Sequence, residues 1–180
     1  MPEPLYRCVL GPDFDRLPPE VRALHQVEAE TRTQGACRIE RGGGALSRLA
    51  GWLFGMPPAG EAVPVVVVFR PQGGGELWRR RFGAHRLASF QAPLARRGWL
   101  AESFGPGRFL LEVEAGPQGL ALLLRGVRLF GLPLPPALWP RIRAGERVEA
   151  GRFTFDVEIR LPLGGLLIHY HGHLLPAEGQ

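Results

Sequence analysis

Apolar and polar residues alternate along much of the chain after residue 63, and this alternation predicts β-strands. The clearest example is the segment 152–160, in which every second residue is apolar. A period of two is typical of a strand with one buried face. Short apolar segments separated by glycine and proline turns predict strands over residues 36–41, 63–70, 76–82, 86–91, 99–104, 108–114, 120–130, 152–161 and 166–175.

Two short helices are predicted nearer the N-terminus. The first follows Pro18 and Pro19 and runs to about residue 27, with apolar residues at helical spacing. The second covers residues 45–54, and Gly55 ends it. Its apolar residues share one face: Leu46, Leu49, Ala50 and Leu53.

Turn signals recur about every ten residues, which favours hairpins between consecutive strands. We therefore predict an α+β fold that is mainly antiparallel β, a curved sheet or β-barrel of about 8–9 strands with two short helices near the N-terminus. Residues 1–180 are expected to form a single domain with its core at about 16–176. Residues 1–15 are expected to be irregular, and the proline-rich segment 132–143 is expected to be an ordered surface connection.

The second predicted helix has three possible roles at one end of this sheet. Ordinary packing of its apolar face over that end is the favoured interpretation, because most amphipathic helices bury their apolar face. The cluster of Trp52, Leu53 and Phe54 leaves two alternatives open. It can form a lid over a barrel mouth, or a patch that touches lipid or a partner.

Composition excludes more chemistry than it identifies. All 22 basic residues are arginine, and the chain has no lysine and no asparagine. Schiff-base chemistry, a pyridoxal-phosphate anchor, a P-loop lysine and N-glycosylation are therefore excluded. Lysine and asparagine both have A-rich codons, so their joint absence indicates coding bias. The net charge of +5 then does not by itself indicate a nucleic-acid partner.

Several further classes of function lack their sequence signals. The run Arg79–Arg81 would alternate between the two faces of a strand, and no nucleic-acid-binding motif accompanies it. The N-terminus does not have the pattern of a secretory signal, and Cys8 and Cys37 do not form a disulfide framework. No G-x-S-x-G, C-x-x-C or H-E-x-x-H motif is present. We expect a cytoplasmic protein without a membrane span, a nucleic-acid partner or a cofactor, and favour a non-catalytic role.

Arg80 is the first candidate for a binding site. On a strand it shares one face with Trp78 and Phe82, and two large aromatic residues indicate that this face is buried. A buried guanidinium keeps its proton and needs an anion beside it. The anion can be the carboxylate or phosphate of a ligand. It can also be an internal carboxylate, which is the commoner arrangement, and the candidates are Glu40, Glu102 and Asp156.

A histidine-rich strand is the second candidate. His169, His171 and His173 would lie on one face of a strand, with the outer two about 13 Å apart. That span is too long for three short bonds to one zinc ion unless Gly172 bends the strand. We therefore assign no metal, and keep the three histidines as a less favoured alternative. The favoured interpretation is that they face solvent or a polar cavity.

Several phrases of the sequence together resemble an uncharacterised bacterial family, domain of unknown function 4166. The resemblance covers residues of about 20–176 and rests on short motifs rather than one long match. It implies no established activity, and members look like standalone domains or companions of a nucleotide-binding, saccharopine-dehydrogenase-like domain. The motifs are Arg22–His25, Gly55–Gly60, Trp78–Gly83, Glu102–Pro106, Gly131–Pro135, Gly151–Val157 and His169–Leu174.

The sequence leads to three functional hypotheses. The first is non-catalytic binding of a small apolar or amphipathic molecule, lipid-like and acidic at its head, inside the curved sheet or barrel. The second is an interaction module for a nucleotide-binding, oxidoreductase-like enzyme, and the third is a metal-assisted enzyme that uses the histidine strand. In the first hypothesis no residue is catalytic, and the ligand-binding residues are Arg80, Trp78, Phe82, His169, Tyr170, Glu102 and Asp156.

Overall fold

The computed structural model describes residues 3–176, which form three short helices and eleven strands. The helices are α1 (Leu5–Leu10), α2 (Pro19–His25) and α3 (Ala45–Leu53). A 3-10 helix at Gly11–Arg16 joins α1 to the segment before α2. The strands are β1 (Thr31–Arg41), β2 (Gly60–Gln72), β3 (Gly75–Phe82), β4 (His85–Pro93), β5 (Trp99–Phe104), β6 (Gly107–Gly116), β7 (Gly119–Leu129), β8 (Leu132–Pro133), β9 (Arg141–Glu149), β10 (Arg152–Leu161) and β11 (Gly165–Pro176).

Ten of the strands form a closed antiparallel barrel. Strands β1 to β7 pair in sequence order, β7 pairs with β9, and β9, β10 and β11 continue the ring until β11 pairs with β1. Closure leaves no free edge in the ring. The two-residue strand β8 pairs with β7 outside it. The predicted mainly antiparallel barrel is confirmed, with ten strands in the ring and three helices.

Side chains along each strand point alternately to the inside and the outside of the barrel, and the inward ones form its inner surface. In β2, for example, Val65, Val67 and Phe69 point inward and are almost fully buried. The residues between them, such as Val66 and Val68, lie on the outer face and keep more exposure. The same period of two runs through the other long strands, so the inner surface is mainly apolar.

One end of the barrel, called the closed end below, is covered by the N-terminal segments. Helices α1 and α2 and the 3-10 helix bury Tyr6, Phe14 and Val21 completely. The expectation that residues 1–15 are irregular is therefore wrong. The helical turns are too short to show a full period, and prolines at their starts hide the pattern.

Helix α3 lies at the opposite end, called the open end below. The Ser47 hydroxyl is buried within 2.9 Å of the Gly164 carbonyl and 2.7 Å of the Leu166 carbonyl. The Arg41 guanidinium also packs against Gly51 of α3. In contrast, Leu49 and Trp52 are 60% and 78% exposed. Helix α3 therefore packs over this end only in part, since Ala50 and Phe54 pack against the core while much of the apolar face stays exposed.

Strand β9 was also not predicted, since the segment 132–143 was expected to be an ordered surface connection and no element was assigned to residues 144–149. The structure places β8 and a short 3-10 helix there, and β9 begins at Arg141. The inward positions of β9 are Ile142, Ala144, Glu146 and Val148. A glutamate and a small residue on the inner face interrupt the apolar alternation that marks the other strands.

Candidate functional site

A cavity of about 440 Å³ occupies the barrel and reaches the open end. An eight-stranded barrel is just wide enough for its own side chains or one small ligand, so ten strands leave more space. Most of the wall is apolar, and helix α3 contributes the outer part through Leu46, Leu49 and Leu53. The deep part approaches Tyr6 and Leu24 of the N-terminal helices. The volume lies within the range of small-molecule binding pockets.

Arg80 lines this cavity about midway along β3. One guanidinium nitrogen donates to the Ser89 hydroxyl at 2.7 Å, and the other donates to Glu102 at 3.3 Å. The guanidinium also lies over the ring of Trp78, 4.8 Å from its centroid. Arg80 therefore faces the cavity, and the anion beside it is the internal carboxylate of Glu102, one of the three candidates from the sequence.

Tyr170 lines the cavity from β11. Its ring packs edge-on against Phe82, with 5.8 Å between the ring centroids. Burial raises the pKa of the Tyr170 phenol to about 12, so the hydroxyl keeps its proton. The hydrogen bonds found among residues 3–176 include none to this hydroxyl, which leaves a donor available to a ligand.

A second polar cluster at the closed end was not predicted from the sequence. The His25 imidazole is fully buried and its Nε2 atom lies 2.5 Å from Glu146, which lines the cavity. The ring of Tyr6 stacks against His25 at 3.9 Å, and the Tyr6 hydroxyl donates to Gln91 at 3.2 Å. The sequence signals for this cluster were two polar residues at inward strand positions, Gln91 on β4 and Glu146 on β9. Neither identifies its partner, since His25 and Glu146 are separated by 121 positions.

Glu76 lies at the closed end of β3 and is 1% exposed. It accepts a hydrogen bond from the backbone N–H of Leu5 at 3.2 Å and one from the indole of Trp78 at 3.0 Å. Burial raises the pKa of its carboxyl, although these two donors and His25 act in the opposite direction. Glu76 therefore connects helix α1 to the barrel and does not line the cavity.

Two predicted site residues, His169 and Asp156, lie on the outer face of the barrel. The His169 Nε2 atom is 3.0 Å from Asp156 there, and neither side chain lines the cavity. His169 directly precedes Tyr170 in a strand, so only one of them can face inward. The prediction that His169 and Asp156 lie in the interior was wrong. Of the seven predicted residues, the structure brings five to the cavity: Trp78, Arg80, Phe82, Glu102 and Tyr170.

The other histidines of β11 also face outward. The rings of His169 and His171 are 5.2 Å apart, and His171 and His173 border a shallow groove on the outer surface. Within residues 3–176, no three histidine, cysteine or carboxylate side chains come close enough to hold a metal ion. The histidine strand therefore offers a surface pair beside Asp156.

Comparison with known families identifies the domain. The family model for DUF4166, a domain of unknown function, matches residues 17–174. The chain belongs to this family. The matched residues of DUF4166 include α2 and nearly all of the barrel, so they contain every cavity residue named above except Tyr6. Neither the curated proteins nor the solved structures gave a match. No helix within residues 3–176 is long and apolar enough to cross a membrane.

Proposed function

We propose that this DUF4166 domain binds, without catalysis, a small amphipathic molecule that has an apolar body and an uncharged polar head. The observation that carries the proposal is the mainly apolar cavity inside the barrel, which ends on a few polar side chains. A site of this composition buries the body of a ligand by the hydrophobic effect and orients it by a few hydrogen bonds.

The shape of the cavity supports an elongated ligand. Its apolar wall extends from Leu49 at the open end to Phe69 and Leu174 near the closed end. The polar atoms of Arg80, Glu102 and Tyr170 lie between these limits. A ligand that enters from the open end would therefore pass apolar walls first and meet hydrogen-bonding groups deeper in the barrel.

The charges in the cavity favour an uncharged head over the acidic one expected from the sequence. Glu102 already meets the charge of Arg80, and Glu146 adds a second carboxylate to the cavity wall. An anionic head would be close to both carboxylates, and repulsion would offset the attraction of Arg80. A hydroxyl or amide can instead accept from Tyr170 and donate to a carboxylate oxygen.

The arrangement also supports a non-catalytic role. His25 has the ordinary chemistry of a general base, but it is fully buried behind Tyr6 and does not line the cavity. Glu102 is held by Arg80, and the Tyr170 phenol has its pKa raised to about 12 by burial. Among the cavity residues within 3–176, Glu102 and Tyr170 are therefore not set up to exchange a proton with a ligand near neutral pH.

The first test is direct. Purified protein is examined by native mass spectrometry and organic extraction, and binding of the apolar fluorophore N-phenylnaphthylamine is titrated. We expect saturable binding of one fluorophore per chain. A neutral long-chain alcohol should displace it at lower concentration than the carboxylate of the same chain length. An absence of saturable binding would exclude the proposal, and a stoichiometric protein partner with an empty cavity would favour the interaction module instead.

A matched pair of variants locates the binding. Ala144 lines the cavity, so Ala144→Trp places a large ring inside the barrel. Ala88 is exposed on the outer face of β4, so Ala88→Trp adds the same ring to the surface. We expect Ala144→Trp to weaken fluorophore binding at least about tenfold, the usual result of occupying a pocket, and Ala88→Trp to leave it unchanged. Circular dichroism checks that both variants are folded, and equal binding by the two would contradict an interior site.

A further inference from the structure

The open end carries most of the exposed large apolar side chains of the protein. Eight of the nine such residues found within 3–176 surround it, and Leu175 is the exception. They come from helix α3, from the connection between β7 and β9, and from the turn between β10 and β11. They are called the apolar rim below: Leu46, Leu49, Trp52, Leu53, Phe130, Leu132, Leu138 and Leu163.

Arginines form a second feature at the same end. Three pairs of arginines lie directly opposite each other on neighbouring strands, each pair close to a turn at the open end. All six side chains are exposed, and only Arg160 has a carboxylate, that of Glu158, within 4.0 Å among the residues described. The pairs, called the arginine ring below, are Arg81 with Arg86, Arg108 with Arg128, and Arg141 with Arg160.

The arginine ring is unfavourable in the isolated protein, because like charges directly opposite on a sheet repel each other. At the closed end, by contrast, two arginines meet carboxylates. Arg7 pairs with Asp15 at 2.8 Å, and Arg97 pairs with Asp13 at 2.9 Å. Coding bias accounts for the use of arginine throughout the chain, but it does not account for three pairs of arginines placed directly opposite each other at the open end.

An apolar centre surrounded by exposed arginines, five of which have no carboxylate within 4.0 Å among the residues described, is complementary to an anionic lipid surface. Exposed leucine and aromatic side chains enter the boundary between headgroups and acyl chains, while arginines remain among the phosphates. Trp52 and Phe130 are aromatic residues of the kind that favour this boundary. Acidic lipids add roughly fivefold in affinity for each arginine near the surface.

We propose that the open end of the barrel docks on an anionic lipid bilayer, with the apolar rim inserted at the interface and the arginine ring against the headgroup phosphates. Docking in this orientation turns the mouth of the cavity toward the bilayer. The apolar rim comes from three separate segments, and the arginine ring surrounds it. An extended planar surface of negative charge can contact all of these residues at once. The inference goes beyond the proposed function, because docking does not require that the cavity binds a ligand.

Sedimentation with lipid vesicles tests the proposal. One set of vesicles is pure phosphatidylcholine, and the other is a two-to-one mixture of phosphatidylcholine and phosphatidylglycerol. We expect the protein to sediment with the mixed vesicles and at least about tenfold less with the neutral ones. The emission of Trp52, obtained as the difference between wild type and Trp52→Phe, should shift to shorter wavelength on binding. Failure to bind mixed vesicles, or binding without that shift, would overturn the proposal.

Two triple variants separate docking from general charge attraction. Arg81→Ser, Arg108→Ser and Arg141→Ser together remove one member of each pair at the open end. The control removes three exposed arginines near the closed end, through Arg32→Ser, Arg70→Ser and Arg152→Ser. We expect the first variant to lose binding by about tenfold or more and the control by much less. Equal losses would show that only net charge matters, and the proposal would be wrong.

A third variant tests the apolar rim. Leu49→Ser with Trp52→Ser changes only exposed positions, so the fold should be preserved. Binding to the mixed vesicles should fall by about tenfold or more, because both side chains lose their insertion into the interface. An unchanged vesicle affinity would overturn the proposal. The proposal would also be overturned if the wild type bound an acidic protein stably but did not bind vesicles, and if this variant lost the protein complex.

Discussion

The two ends of the barrel are covered by helices in opposite ways. Helices α1 and α2 turn their apolar faces into the barrel, and side chains such as Tyr6 and Val21 lose all exposure. Helix α3 is the longest of the three, and its Leu49 is nevertheless 60% exposed. The difference lies in which face is anchored, since α3 is held by Ser47 and Gly51. In this barrel, a helix buries its apolar face over an end only where that apolar face, and not its polar face, is anchored.

The largest expected effect is a loss of stability from a substitution at the closed end. Phe14→Ala removes a fully buried ring and should lower the free energy of unfolding by about 3–5 kcal/mol. Trp52→Ala at the open end removes a ring that is 78% exposed and should change the same quantity by less than about 0.5 kcal/mol. Urea unfolding of both variants measures the contrast. Similar losses for the two would mean that α3 is packed more tightly than its exposure indicates.

The next effect concerns the polar group between the two ends. Arg80→Met leaves the Glu102 carboxylate without its cation, and we expect a loss of about 2–3 kcal/mol because both side chains are largely buried. Adding Glu102→Gln removes the unpaired charge and should recover most of that loss. Urea unfolding of the single and double variants gives the result. A double variant as unstable as Arg80→Met would show that packing of the guanidinium on Trp78 matters more than the ion pair.

A smaller effect is expected at the anchor of α3. An added methyl group in Gly51→Ala would overlap the Arg41 guanidinium, which donates to the carbonyls of Leu167, Met56 and Pro57. Displacement should cost about 1–2 kcal/mol after the gain in helix propensity. Hydrogen exchange should accelerate in α3 and not in α1. Gly43→Ala is the control, because a methyl group there meets open space, and equal acceleration by both would contradict the role of Arg41.

The smallest expected effect is a pH dependence at the closed end. Burial raises the folded-state pKa of Glu76, so the protonated carboxyl stabilises the fold below the unfolded value of about 4.3. That contribution is lost as pH rises through the folded pKa. The wild type should therefore lose stability relative to Glu76→Gln as the pH rises from the unfolded pKa of about 4.3 through the raised folded-state pKa. Urea unfolding at several pH values measures the difference, and a constant difference would show that the pKa is not raised.

Much of the fold could be predicted because period-two alternation and tight turns are local signals. The prediction failed at β9, where Glu146 points inward and contacts His25, which the apolar pattern does not show. It also failed at α1, where six residues are too few to reveal a helical period. Both segments contribute several side chains to the interior, but neither arranges them in an apolar period that the sequence alone shows.

The candidate site was partly predictable for a related reason. Arg80 was found because two aromatic neighbours fix the direction of its strand face. His169 was misplaced because it and Tyr170 were assigned to the same interior site, although adjacent residues of a strand face opposite sides. His25 could not be found at all, since its contact with Glu146 arises from the tertiary fold and leaves no local pattern.

One joint of the barrel is much shorter than most of the others. Strands β7 and β9 pair at three positions, from Leu120 opposite Glu146 to Leu122 opposite Ala144, whereas β6 and β7 pair along most of their length. Beyond Leu122 the two strands diverge toward the open end, and Leu134 and Leu138 line the cavity there instead. The circumference of the mouth can therefore change by moving a loop, while the remaining ladders keep their hydrogen bonds. We expect this joint to open before any of the long ladders does, because it is held by the fewest paired positions in the ring.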